Sequence, residues 1–147
     1  MAGPPPPSLS GLGAVATGGV VGASLRYGAG RLVPVTAGAF PWTTFVVNVS
    51  GSLALGALVV VAAVHWPGWH TPRLFLGVGV LGAFTTFSTF ANETRALLLA
   101  DAGGTAASYV GASVAGGLAS AWLGIGLARR ILGVPPGGLP EQPEEAA

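Results

Sequence analysis

Charges divide this sequence into pieces, and the pieces are apolar. They run from about Leu9 to Val33, from about Thr43 to Trp66, from about Pro72 to Ala100 and from about Thr105 to Leu127. No formal charge falls between Arg31 and Arg73, and the fourth piece stops at Arg129-Arg130. A helix crossing a bilayer needs about 20 predominantly apolar residues. The pattern therefore predicts an all-α membrane protein with four transmembrane helices and little chain left for anything else. Only 7% of the 147 residues are charged and mean hydropathy is +0.69, where a soluble domain carries about 25% charge. Trp42 before the second piece, and Trp66 and Trp69 after it, fit interfacial anchoring. Pro41, Pro67 and Pro72 fall at boundaries, where they break no helix.

One membrane domain is expected over 9–132. The proline-rich stretch 1–8 has no positive region to mark a cleaved signal peptide, and 133–147 is proline-rich and acidic, the composition of a disordered tail. Six Arg with no Lys, five acidic residues and no Cys exclude a nucleic-acid-binding charge pattern, a disulfide framework and a cysteine metal site. Gly77-Val78-Gly79-Val80-Leu81-Gly82, with Asp101 about 20 residues on, matches the dinucleotide fingerprint on paper. No strand precedes it and no βαβ unit can be drawn, so close helix packing explains these glycines better than a nucleotide does. His65 and His70 lack a third metal ligand.

The arginines carry the topology signal. If the helices alternate, Arg73, Arg129 and Arg130 lie on one side of the membrane, and Arg26, Arg31 and Arg95 on the other. Three against three gives no positive-inside bias. One reading is a protein oriented by other cues. The other is dual topology, with inverted copies pairing about a two-fold axis in the membrane plane.

Polar residues inside the apolar pieces mark the candidate site. Thr44, Asn48 and Ser52 recur at i, i+4 and i+8, on one helical face; Tyr109 and Ser113 share another. Thr85-Thr86-Phe87-Ser88-Thr89-Phe90 places four hydroxyls and two rings where lipid offers no water. Gly82 followed by this cluster is a place for the third helix to break, over about Gly82–Ser88. A break frees carbonyls for cations and half-helix N-termini for anions. Phe87 and Phe90, at i and i+3, present ring edges that are positive, and Ser88 and Thr89 offer hydroxyls beside them. A polar seam that only joins helices is the simpler reading of Thr44, Asn48 and Ser52 alone. The second polar run shifts the balance toward a path.

Three segments together resemble the CrcB/Fluc family of fluoride channels. They are Gly18-Gly19-Val20-Val21-Gly22-Ala23-Ser24-Leu25-Arg26-Tyr27, the stretch Thr44 to Gly56 with Asn48 and Gly51, and Gly82-Ala83-Phe84-Thr85-Thr86-Phe87-Ser88-Thr89-Phe90. The resemblance covers about Gly18 to Ser120, and its third segment is the most specific. It implies an antiparallel dual-topology homodimer in the bacterial plasma membrane with two fluoride pores. It also implies a structural sodium ion at the dimer centre, held by backbone carbonyls that map to Gly82 and Thr85. The pore phenylalanines match Phe87 and Phe90, and the pore asparagine matches Asn48. A polar track maps to Thr44, Thr89 and Ser113, with Ser88 and Tyr109 nearby. Glu93 matches the carboxylate after the motif, and Arg26 closes the first segment. Ala83 departs from the pattern, standing where a second glycine is common.

The implied function is passive export of fluoride from the cytoplasm, relieving toxicity, with no enzyme chemistry, nucleotide or nucleic acid. Two rivals stay open: a small dual-topology four-helix multidrug exporter, and a non-transporting membrane assembly protein. The first wants a membrane carboxylate, for which only Glu93 is available before Asp101. The second wants the hydroxyls only as glue between helices.

Overall fold

The computed structural model describes residues 8–32, 36–66, 70–135 and 138, and these form four helical rods with no strand among them. The first rod is α1 (Leu9–Leu32) and the second α2 (Trp42–His65). The third is composite: α3 (His70–Arg73), a π-helical segment Leu74–Leu81, α4 (Gly82–Phe84) and α5 (Phe87–Leu99). The fourth is α6 (Gly103–Leu132). The tails expected at 1–8 and 133–147 lie largely outside the described residues, as do Pro67 and the Trp69 anchor.

Three rods are long and apolar enough to cross a membrane: Trp42–His65, Thr71–Leu99 and Gly103–Leu132. The first rod is as long as the second, 24 residues, but it is less apolar. Its glycines add length without hydrophobic surface, and Arg26 and Arg31 lie in its last two turns.

Local chemistry ends the rods cleanly. Gly133 adopts a left-handed conformation (φ 66°) after α6, and Val134 N–H closes back on Arg129 O at 2.9 Å, a Schellman-type stop. A similar closure, Ala102 N–H to Leu97 O at 3.0 Å, turns α5 into α6 through Asp101 at φ 55°.

The rods pack in two close pairs. α1 lies along the π-helical segment and α4, while α2 lies along α6. Both pairs run parallel, because contacts advance in the same direction on each member. A Cβ on Gly18 would overlap Phe75 O, and one on Gly22 would overlap Val80 O. In the other pair, Gly56 meets the Ala121 carbonyl and Gly124 meets the Leu53 carbonyl just as closely. Lipid tails are as apolar as leucine, so van der Waals fit between backbones, rather than expulsion from water, joins such helices. Large apolar side chains accordingly face outward, Trp122 (79% exposed) and Leu118 (63%) among them.

Gly124→Ala should lower stability by about 1–3 kcal/mol through overpacking, while Gly126→Ala, where a Cβ meets nothing within 4 Å, should leave it unchanged or higher. Thermal unfolding of the two variants in detergent measures the difference, and equal melting temperatures would contradict the packing described.

Candidate functional site

The third rod loses helical geometry at two residues. Thr85 (φ −74°, ψ 156°) and Thr86 (φ −148°, ψ 118°) are extended between α4 and α5. Such an interruption strands backbone groups that membrane cannot solvate. Asn48 of α2 takes two of them. Its Nδ2 donates to Thr86 O at 3.1 Å, and its Oδ1 accepts from Thr86 N–H at 2.8 Å. One side-chain amide thus satisfies both backbone groups of Thr86, as a neighbouring strand would. The Thr86 hydroxyl caps α5 by accepting from Thr89 N–H at 3.1 Å and donates to Thr89 Oγ1 at 3.0 Å. Thr85 Oγ1 turns back to Leu81 O at 2.9 Å, and Arg26 Nε donates to Ala83 O at 3.0 Å. Ala83 therefore enters the site through its carbonyl. Gly51 faces the interruption, and any Cβ there would collide with the Thr85 methyl group.

These diversions account for two of the carbonyls freed at the interruption. In an unbroken α-helix, Gly82 O would accept from Thr86 N–H, and Thr85 O from Thr89 N–H. Both donors are spent on side chains, on Asn48 and on the Thr86 hydroxyl respectively. Gly82 and Thr85 both line a groove of about 370 Å³ together with Asn48, Phe87, Phe90 and Ser113. Carbonyl oxygens released from helical bonding are the donors a hard cation takes, so these residues fit a sodium-type ion.

The rings stand at the groove. Phe87 is 79% exposed, and its centroid lies 5.8 Å from that of Phe90. Phe90 in turn packs on Tyr109 at 5.1 Å. Ser113 follows Tyr109 by one turn, and its hydroxyl is buried with no hydrogen-bond partner among the described residues.

Behind the rings, Glu93 joins three elements. Its Oε1 accepts from Thr44 Oγ1 at 2.8 Å and its Oε2 from Tyr109 Oη at 2.7 Å. Both donors are buried. An ionised carboxylate only accepts, and short hydroxyl bonds to it are among the stronger ones. A second cavity, about 360 Å³, is lined by Arg26, Arg31, Thr44, Thr86, Thr89 and Glu93. Thr86 lines both cavities and so stands between them.

The candidates therefore divide. Asn48, Gly82, Thr85, Phe87, Phe90 and Ser113 share the groove, while Arg26, Thr44, Thr89 and Glu93 share the second cavity. Tyr109 is wholly buried behind them. Ser88 is exposed, 3.3 Å from the Thr86 hydroxyl.

This arrangement has relatives. Residues 13–125 match the family model described as CrcB-like protein, Camphor Resistance (CrcB). The chain belongs to the CrcB-like family. A relative in Novosphingobium aromaticivorans, named a fluoride-specific ion channel FluC, is 47% identical over 120 residues, covering 80% of this chain and 94% of the relative. Fluoride-specific ion channel FluC 1 of Streptomyces coelicolor is 43% identical over 118 residues, covering 80% and 77%. A FluC of Hyphomonas neptunium is 42% identical over 128 residues, covering 84% and 98%. With three rods long and apolar enough to cross a membrane, the chain is a multi-pass membrane protein.

Sequence reasoning did not single out Thr86, the residue on which the interruption turns, because its hydroxyl resembles its neighbours' in type. Gly51 was visible only as part of a motif, and the partner of Arg26 was not visible at all. Asn48→Leu should leave the Thr86 N–H and C=O without partners and cost about 1–3 kcal/mol for each group so stranded. Tyr109→Phe removes one donor to Glu93 and should cost about 1.5–3 kcal/mol. Denaturation of the detergent-solubilised protein checks both, and wild-type stability of Asn48→Leu would show that the pairing is not structural.

Proposed function

We propose that this chain is a passive fluoride channel that exports the ion from the cytoplasm, working as an antiparallel dual-topology homodimer. The names of its relatives support fluoride as the substrate. The observation that carries the reading is the layout around Thr86. A cavity holding Arg26 and Arg31 lies on one side, a groove holding Phe87, Phe90 and Ser113 lies on the other, and hydroxyls run between. Arginine at the second cavity raises the local concentration of a small anion. Thr89 and Ser113 offer donors that replace lost water, and Asn48 keeps one Nδ2 proton beyond its bond to Thr86. The ring edges of Phe87 and Phe90 are weakly positive and unable to hold an anion tightly, so the ion can leave. A path that demands dehydration and compensates it closely for a small anion admits fluoride and turns away larger anions.

The exposed groove supports the dimer. Phe87 and Gly82 are exposed and line it together with Thr85, where an inverted copy would cover them. Two copies would bring together four carbonyls to hold a structural sodium ion. That ion supplies positive charge to neutralise the converging carbonyl dipoles, and no part of the path requires chemistry from it. The domain is assigned to 9–132, with tails on either side.

Purified protein in liposomes should release fluoride, read by a fluoride electrode, with no matching release of chloride. Phe87→Ile and Phe90→Ile should slow release by about tenfold or more while leaving the dimer intact. A folded dimer without fluoride flux would overturn the channel, and unchanged flux in both variants would remove the rings from the path. A tag on the C-terminal tail should label equally from both membrane faces; one-sided labelling would defeat the dual topology.

A further inference from the structure

The π-helical segment Leu74–Leu81 is the least ordinary backbone in the molecule. Gly82 N–H bonds to Gly77 O, five residues back. π-helices are rare, usually a single turn, and frequent at functional sites. Nothing in the segment's own sequence demands this winding, for it is Leu74-Phe75-Leu76-Gly77-Val78-Gly79-Val80-Leu81 without proline.

Three positions of α1, spaced i, i+4 and i+8, each face a carbonyl oxygen of the third rod. A Cβ on Gly18 would overlap Phe75 O, a Cβ on Gly22 would overlap Val80 O, and Arg26 Nε donates to Ala83 O at 3.0 Å. Those α1 positions form one stripe. Their first two partners, Phe75 and Val80, are five residues apart. In an α-helix, residues five apart point roughly 140° away from each other, since each residue turns about 100°. In i→i+5 winding each residue turns only a little over 80°, so residues five apart differ by about 50° and both carbonyls turn toward the same neighbour. The backbones also approach closely there. A Cβ on Gly79 would come within 2.9 Å of Gly18 Cα and 3.0 Å of Val15 O, and one on Gly22 within 3.0 Å of Phe84 N.

We propose that Gly18, Gly22 and Arg26 form a cradle on α1 that holds Leu74–Leu81 in π winding and so sets where Thr85-Thr86 falls against Asn48. These are positioning residues. Gly18 and Gly22 line neither cavity, while Arg26 also lines the second one; α4 is a single turn ending one residue before the interruption, so any rewinding of the π segment is delivered to Thr86. Gly18 and Gly22 admit the carbonyls by having no side chain, and Arg26 fixes the far end by a charged hydrogen bond. This inference rests on the channel reading only for its effect on flux.

The experiment has two arms. In wild-type protein carrying carbonyl labels at Phe75 and Val80 and α-carbon labels at Gly18 and Gly22, solid-state NMR should find both cross-helix pairs in contact. One pair in contact and the other far apart would mean α winding and would overturn the cradle whether or not the protein conducts. Gly18→Ala and Gly22→Ala form the second arm, with Gly13→Ala as control, since a Cβ there meets nothing within 4 Å. Each cradle variant should slow fluoride release by about tenfold or more and speed exchange of the Thr86 amide by a similar factor, with α6 amides unchanged. Gly13→Ala should match wild type. If wild type conducts and both cradle variants match Gly13→Ala in flux and Thr86 exchange, the cradle is wrong. If wild type itself does not conduct, the channel reading fails, and the NMR distances and Thr86 exchange still decide the cradle. Should the variants fail to fold, the wild-type distances decide it alone.

Discussion

A single side-chain amide, Asn48, pairs with both backbone groups of Thr86, and most of the site depends on that pairing. A helix inside a membrane cannot stop without stranding donors and acceptors, each expensive in a medium that offers no replacement. Asn48 supplies the missing partner from another helix. Because Thr86 N–H is held there, Gly82 O loses its helical donor; because the Thr86 hydroxyl caps α5, Thr85 O loses its own. The extended pair also starts α5 at Phe87, which fixes where the two rings emerge and brings Glu93 to Thr44 and Tyr109.

Holding that interruption in place requires rods that approach closely, and glycine is what permits the approach. α1 meets the π-helical segment through Gly18, Gly22 and Gly79, and α2 meets α6 through Gly56 and Gly124. The result is turned inside out relative to a water-soluble domain, with small residues between helices and large ones outside. Interior hydrogen bonds then carry unusual weight as determinants of register, because apolar burial does not distinguish one helix face from another in lipid.

Much of this was legible in the sequence, and the limits have physical causes. Thr44, Asn48 and Ser52 could be placed on one helical face from their spacing, yet they serve different ends: Thr44 bonds Glu93, Asn48 bonds Thr86, and Ser52 lines the groove. Spacing places residues on a face and leaves the neighbour unnamed. Four hydroxyls at 85–89 could be seen to need partners, whereas their separate tasks, back-bonding by Thr85 and capping by Thr86, follow from dihedral angles that composition does not encode. The first rod shows the converse. Its glycines lower its hydropathy and so weaken its reading as a span, and the same glycines are what let it pack against the third rod.

The sequence by itself determined the solvent, the helical class and the chemical types gathered at the site, and it placed the rods approximately, although α6 runs on through Arg129-Arg130 to Leu132. These follow from local properties: apolar length, proline and glycine placement, and the cost of an unsolvated hydroxyl. Tertiary structure decided which groups meet. The bonds that define the site join residues 38, 49 and 57 positions apart, Asn48 to Thr86, Thr44 to Glu93 and Arg26 to Ala83. The π winding belongs to the same class, since it takes its shape from the surface of α1. Such pairings depend on helix register and rotation, which exist only once the rods have packed.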